Sequence, residues 1–70
     1  MRVELKNIIR ALERLKAWVE VEEQRANFMA KDTTDHDEEV AYRAKAEVLE
    51  QVRIRISTTI MVIEEVSKEK

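Results

Sequence analysis

The 70-residue sequence contains no glycine, no proline and no cysteine, and only three of its residues are aromatic. Glycine and proline are the residues that most strongly mark turns, so their absence argues against a compact fold with many turns. The absence of cysteine excludes disulfides and thiolate sites and fits a reducing, cytoplasmic location. A chain this short buries little surface, so without disulfides it usually needs a metal or a partner subunit for stability.

Long hydrophobic runs and a strong charge of one sign are also missing. The longest uncharged run, residues 56–63, has eight residues, whereas a membrane helix needs about 20. Arg2, Glu4 and Lys6 charge the first turns, so we expect no signal peptide. Charged residues make up 40% of the chain, but the net charge is only −2. We therefore expect no membrane association, and composition gives no reason to expect nucleic-acid binding.

Two heptad-like stripes of apolar residues, with alternating steps of four and three, run through the chain. The first comprises Met1, Leu5, Ile8, Leu12, Leu15, Val19, Glu22, Ala26 and Met29, with Glu22 as its charged member. The second comprises Tyr42, Lys45, Leu49, Val52, Ile56, Thr59, Ile63 and Val66, with Lys45 and Thr59 as its polar members. This spacing predicts two helices, over about residues 2–31 and 36–68, that pack along these stripes.

The polar segment Lys31–Glu39 predicts a turn at about residues 32–35. Asp35 and Glu38 have the spacing of a capping box, and Asp37 adds negative charge at the positive end of the next helix dipole. A short connection forces the helices to lie antiparallel. The expected fold class is therefore all-α, with residues 1–70 forming a single helical-hairpin domain.

The segment Val52–Ile63 carries a competing signal, because it is rich in β-branched residues and begins with the alternation of a strand. As a strand it would produce a swapped or ribbon-type dimer. The heptad spacing continues through the segment and no turn residue bounds it, so the helical interpretation is favoured.

Glu22 and Lys45 interrupt the two apolar stripes, and folding the hairpin about residues 33–34 brings them near each other. We therefore predict a core polar pair that fixes the register more than it adds stability. The alternative is that both stems reach outward and keep their charged groups in water.

Further apolar residues lie off the predicted seam, among them Trp18, Val21, Phe28, Val40, Ile54 and Met61. A monomer would expose them as a larger patch than soluble monomers usually tolerate. A symmetric homodimer that forms a four-helix bundle, or a higher oligomer, would cover most of it. We therefore expect a small self-associating protein with a structural or regulatory role in protein–protein interaction, and these six residues as its interface with itself or with another protein.

A basic row, Arg2, Lys6, Arg10 and Arg14, recurs every four residues and forms a ridge on the first helix. Counted along the sequence, residues 1–17 carry +3 and residues 18–39 carry −6. Nucleic-acid binding through this ridge is the alternative function. An ordinary solvated helix face explains the same charges and is the favoured interpretation.

Catalysis has little support in the residue inventory. The acidic turn around the single histidine, His36, lacks the central glycine and the spacing of a calcium loop. Helix capping and solvation account for its charges. Glycine-rich phosphate loops are excluded, and Ser57 and Ser67 have no neighbouring base. The expectation is a protein that is not an enzyme and has no cofactor and no metal.

Overall fold

The computed structural model describes residues 3–68 as two α-helices, α1 (Val3–Asp32) and α2 (His36–Lys68). The helices lie side by side in a rod with Cα extents of 54 × 15 × 11 Å. The described residues contain no strand, so the all-α prediction is confirmed, and the segment Val52–Ile63 is helical throughout. Met1 and Arg2, predicted members of the apolar stripe and the basic ridge, lie outside the described residues.

The connection between the helices is only three residues long, Thr33, Thr34 and Asp35. The Asp35 carboxylate accepts hydrogen bonds from the backbone N–H groups of Asp37 (2.9 Å) and Glu38 (3.4 Å) and thereby caps α2. Within the described residues no backbone φ is positive, so the turn requires no glycine.

The second half of the expected capping box is mediated by the hydroxyl of Thr33. A direct box would join the Glu38 carboxylate to the backbone N–H of Asp35. Instead, the Asp35 N–H donates to Thr33 Oγ1 (3.2 Å), and this hydroxyl donates to Glu38 Oε2 (2.8 Å). The same threonine therefore links the end of α1 to the first turn of α2.

Half of the predicted seam residues are found in the seam. At the other positions, the seam contains the residue that directly follows the predicted one. Leu5, Leu12, Val19 and Ala26 on α1 face α2 as predicted, and so do Tyr42, Leu49, Ile56 and Ile63 on α2. The alternate seam positions hold the buried or half-buried residues Ile9, Lys16, Glu23 and Ala30 on α1 and Ala46, Arg53, Ile60 and Ser67 on α2. The predicted members Ile8 and Leu15 are each 46% exposed. Both helices are thus rotated by the same small angle from the predicted packing.

The composition of the seam changes along its length. Near the chain ends it is aliphatic, with Ile9 and Ile56 buried, whereas near the turn it consists of the small residues Ala26, Ala30 and Ala46. The best-buried side chain, Val19, is only 1% exposed. The apolar seam residues thus provide the burial that holds the hairpin together.

The predicted Glu22–Lys45 pair is not found in the seam. Lys45 is exposed, and Glu22 lies 4.0 Å from Arg25 on its own helix. The ion pair that crosses between the helices joins Arg53 Nε to Glu23 Oε2 at 2.9 Å. The rotation of the helices explains the difference, because it brings Glu23 rather than Glu22 to the seam.

Candidate functional site

The rotation of the helices gives the hairpin two different sides. A pseudo-twofold axis perpendicular to the plane of an antiparallel pair relates its helices, so equivalent heptad positions lie on the same side of the seam. The alternate seam positions named above run from Ile9 to Ala30 on α1 and from Ala46 to Ser67 on α2. The residue directly before each of them occupies a heptad g position, and the g positions of both helices share one side of the seam. The remaining seam positions run from Leu5 to Ala26 on α1 and from Tyr42 to Ile63 on α2. The residue directly after each of them occupies an e position, and the e positions of both helices share the other side of the seam.

The g side carries seven of the exposed large apolar side chains, and we call this surface the apolar flank. Its members are exposed apolar side chains at the g positions and at the neighbouring c positions: Ile8, Leu15 and Trp18 on α1, and Val48, Val52, Val62 and Val66 on α2. Trp18, the only tryptophan in the chain, is 57% exposed. Seven large apolar side chains on one side form a surface of the kind that usually marks an interaction site.

The e side, which we call the polar flank, consists almost entirely of charged and polar residues: Lys6, Glu13, Glu20 and Asn27 on α1, and Arg43, Glu50, Ser57 and Glu64 on α2. A shallow groove of about 290 Å³ lies on this side, lined by Glu20, Glu23, Gln24, Asn27 and Arg53. Arg53 of α2 lines the groove together with four residues of α1. The charges of Glu20 and Glu50, which are e positions of α1 and α2, both act on Arg53, which supports the assignment of the e positions to one side.

Arg53 is the electrostatic centre of the polar flank. Its hydrogen bond to the Glu23 carboxylate raises the pKa of the guanidinium, and the charges of Glu23, Glu50 and Glu20 act in the same direction. Both partners are partly buried, with 31% of the Arg53 side chain and 18% of the Glu23 side chain exposed. Arg53 is thus held by a partner on the other helix through its Nε–H group.

The six predicted interface residues are all exposed, but they lie on different sides of the hairpin. Trp18 belongs to the apolar flank. Val21 and Phe28 occupy f positions, on the surface of α1 that points away from α2. Val40, Ile54 and Met61 occupy b positions of α2, between its outer surface and the polar flank. A single flat interface therefore cannot include all six residues.

The apolar flank contains residues that the sequence reasoning assigned to the seam, among them Ile8, Leu15, Val52 and Val66. The sequence also contains a second stripe, in which every second residue lies one position later in the chain. This stripe was the signal that could have distinguished the residues of the flank from those of the seam. Its oppositely charged members Glu23 and Arg53 can pair across the seam. The first stripe would instead place Ile8 and Leu15 in the seam, but each is 46% exposed.

Three residues of the predicted basic ridge, Lys6, Arg10 and Arg14, are exposed. None of them forms an ion pair with another residue between 3 and 68. They occupy e, b and f positions, so the ridge winds from the polar flank onto the outer surface of α1 and does not reach the apolar flank. Arg2, its first member, lies outside the described part of the chain.

The acidic turn is accounted for by capping and by the Thr33–Glu38 hydrogen bond. Within residues 3–68, no group of three or more histidine, aspartate or glutamate side chains is arranged to hold a metal ion. Neither α1 nor α2 combines the length and the apolar character needed to cross a membrane.

No protein-family model, curated protein or solved structure matches the chain.

Proposed function

We propose that the chain is a small protein-interaction module that pairs with a second copy of itself through the apolar flank, forming a four-helix bundle with a structural or regulatory role. The observation that carries this proposal is the uneven distribution of exposed large apolar residues, seven of which lie at g and c positions and four at e and b positions. Ile8, Leu15 and Trp18 on α1 share a side with Val48 and Val52 on α2, while the opposite side carries mostly charged residues.

The small size of the hairpin supports the same proposal. Only six apolar residues are buried in the described chain, and three of them are alanines. A helical pair with so little buried apolar area gains little stability from its own seam. Covering the apolar flank with an identical flank would add buried area from both copies, and twofold symmetry is the commonest way to close such a contact.

Solution mass tests the proposal. We expect light scattering after size exclusion to give twice the 8.3 kDa chain mass, with a strongly helical circular dichroism spectrum. Leu15→Glu should yield the monomer, because it places a charge at the centre of the apolar flank. Ala44→Glu is the matched control, since it adds the same charge on the exposed outer surface of α2. A dimer unaffected by Leu15→Glu, or a monomeric wild-type chain, would contradict the proposal.

The second candidate function is nucleic-acid binding by the basic ridge. The observation in its favour is that Lys6, Arg10 and Arg14 are exposed and have no ion-pair partner among residues 3–68. Phosphate groups would provide such partners. Because the ridge lies away from the apolar flank, Arg10→Glu with Arg14→Glu should abolish retention on duplex DNA or RNA and leave the solution mass unchanged. If the wild-type chain shows no retention at low salt, this second function is wrong.

A further inference from the structure

The charge of the hairpin differs strongly between its two ends. Residues 18–51, the half that contains the turn, carry a net charge of −6, whereas the described residues of the other half, 3–17 and 52–68, carry +3. The α2 cap concentrates the negative charge at the turn, where Asp35, Asp37 and Glu38 follow one another closely. The hairpin is therefore a rod about 54 Å long with an acidic turn end and a basic open end.

The apolar flank is also placed unevenly along this rod. The Glu23–Arg53 and Thr33–Glu38 contacts fix the register of the helices. In this register Ile8 lies level with residues 62–66, near the open end, and Trp18 lies level with Val52. Toward the turn the equivalent g positions are occupied by Glu22 and Lys45 and by Met29, which is half-buried. The apolar flank is thus centred near Leu15 and stops before the acidic turn end.

We infer that the second copy binds the apolar flank in the antiparallel orientation, with the turn end of each hairpin beside the open end of the other. This inference rests on the proposed dimer and adds its geometry. A twofold axis that passes through the flank near Leu15, perpendicular to the rods, superposes apolar flank on apolar flank. It also brings each acidic turn end next to a basic open end.

The parallel alternative covers the same apolar residues but produces an unfavourable charge distribution. It would place two turn halves, each with a net charge of −6, side by side. Like charges that face each other across an interface disfavour that arrangement, whereas complementary ends favour association. The basic side chains Lys6, Arg10 and Arg14 lie off the apolar flank. The preference for the antiparallel orientation therefore comes from the long-range electrostatic potential of the two ends, and it weakens as salt screens that potential.

Distances between spin labels test the orientation directly, and the absence of cysteine makes single-site labelling straightforward. Thr34→Cys places a label at the exposed turn, and Asn7→Cys places one on the exposed outer surface of α1 near the open end. Electron–electron double resonance is measured on Thr34→Cys alone and on a mixture of the two labelled variants, at low salt and under conditions where light scattering has established the mass of each.

For the antiparallel dimer we expect a Thr34–Thr34 separation of roughly 60 Å and a Thr34–Asn7 separation of roughly 25 Å between copies, from the 1.5 Å rise per residue and the width of two packed helix layers. A dimer with a Thr34–Thr34 separation of roughly 20 Å, the width of two packed helix layers, would overturn the orientation and leave the proposed function intact. A monomer by light scattering would overturn both. Circular dichroism of each labelled variant checks that the label has not unfolded the hairpin.

Discussion

The two flanks of the hairpin border the same seam, yet they differ in almost every chemical respect. The polar flank contains the cross-helix Arg53–Glu23 pair and a groove of charged and amide side chains, and most of its charged residues are exposed to solvent. The apolar flank exposes Ile8, Leu15 and Trp18 to solvent. In the isolated hairpin, water can solvate the polar flank, whereas the apolar flank gains stability only when another surface covers it.

This difference shows that the position of an exposed apolar residue matters as much as its exposure. In a small helical protein, the side of the helix pair on which the residue lies decides whether it indicates an interface. Trp18 and Phe28 are similarly exposed, at 57% and 64%, but only Trp18 belongs to the apolar flank, whose members lie on both helices. Phe28 lies on the outer surface of α1, where neighbouring residues are largely polar. Scattered apolar residues are common on protein surfaces, whereas a continuous patch indicates an interface.

The largest effect is expected from the seam, because both flanks depend on it. Val19→Asp would bury an unpaired carboxylate at the best-buried position of the chain and should cost more than about 4 kcal/mol, which unfolds the hairpin. Val21→Asp is the matched control on the outer surface and should change the free energy of unfolding by less than about 0.5 kcal/mol. Chemical denaturation followed by circular dichroism measures both variants. Equal destabilisation by the two variants would contradict the observed burial of Val19 and exposure of Val21.

A smaller effect should follow from making the apolar flank more apolar. Thr59 lies at a g position in the middle of that flank, and its hydroxyl donates to the Arg55 carbonyl (2.8 Å). Thr59→Val should strengthen dimerisation roughly tenfold, because a methyl group replaces the hydroxyl in the contact of both copies. Thr58→Val makes the same replacement on the outer surface and should leave the dissociation constant unchanged. Analytical ultracentrifugation across a dilution series measures the two constants, and equal values would argue against the flank as the interface.

The polar flank should respond in hairpin stability but not in assembly. In a double-mutant cycle, Glu23→Ala and Arg53→Ala should each lower the melting temperature, and the double variant should lose less than the sum, because the two side chains stabilise each other. The surface pair Glu39–Arg43 (3.1 Å) serves as the control cycle and should show weaker coupling, since it is more exposed. A change in solution mass caused by either single substitution would indicate that the polar flank takes part in assembly.

The smallest expected effect is a change in the fluorescence of the single tryptophan. Trp18 is more than half exposed in the isolated hairpin, so burial against a second copy should shift its emission to shorter wavelength. Dilution below the dissociation constant should reverse this shift while the circular dichroism spectrum stays helical. Emission that is independent of concentration, in a range where the mass changes, would exclude Trp18 from the interface.

Much of the local structure could be predicted from the sequence. The absence of glycine and proline, the heptad spacing and the Asp35 cap indicated two helices and one turn. The predicted boundary at residue 31 differs by one residue from the observed end of α1 at Asp32. The β-branched segment Val52–Ile63 is helical, because the seam buries Ile56 and half-buries Ile60 and Ile63. Packing of this apolar face outweighs the weak β-propensity of the individual residues.

The candidate site was less predictable, since it depends on a small rotation of each helix that replaces every second predicted seam residue by the next residue in the chain. Two overlapping stripes share Leu5, Leu12, Val19 and Ala26, and both satisfy the alternation of four and three. One includes Ile8 and Leu15, and the other includes Ile9, Lys16 and Glu23. Hydrophobicity alone favours the first stripe, so the sequence pattern placed flank residues in the seam and predicted the wrong charged pair.

By itself, the sequence determined that this chain forms two long helices joined by a capped turn, because helix periodicity and capping are local properties of neighbouring residues. Only the tertiary structure decided which stripe faces inward. That choice depends on the close approach allowed by Ala26, Ala30 and Ala46 and on the pairing of Glu23 with Arg53 across the seam. These are relations between residues far apart in the chain, and they leave the apolar flank on the surface.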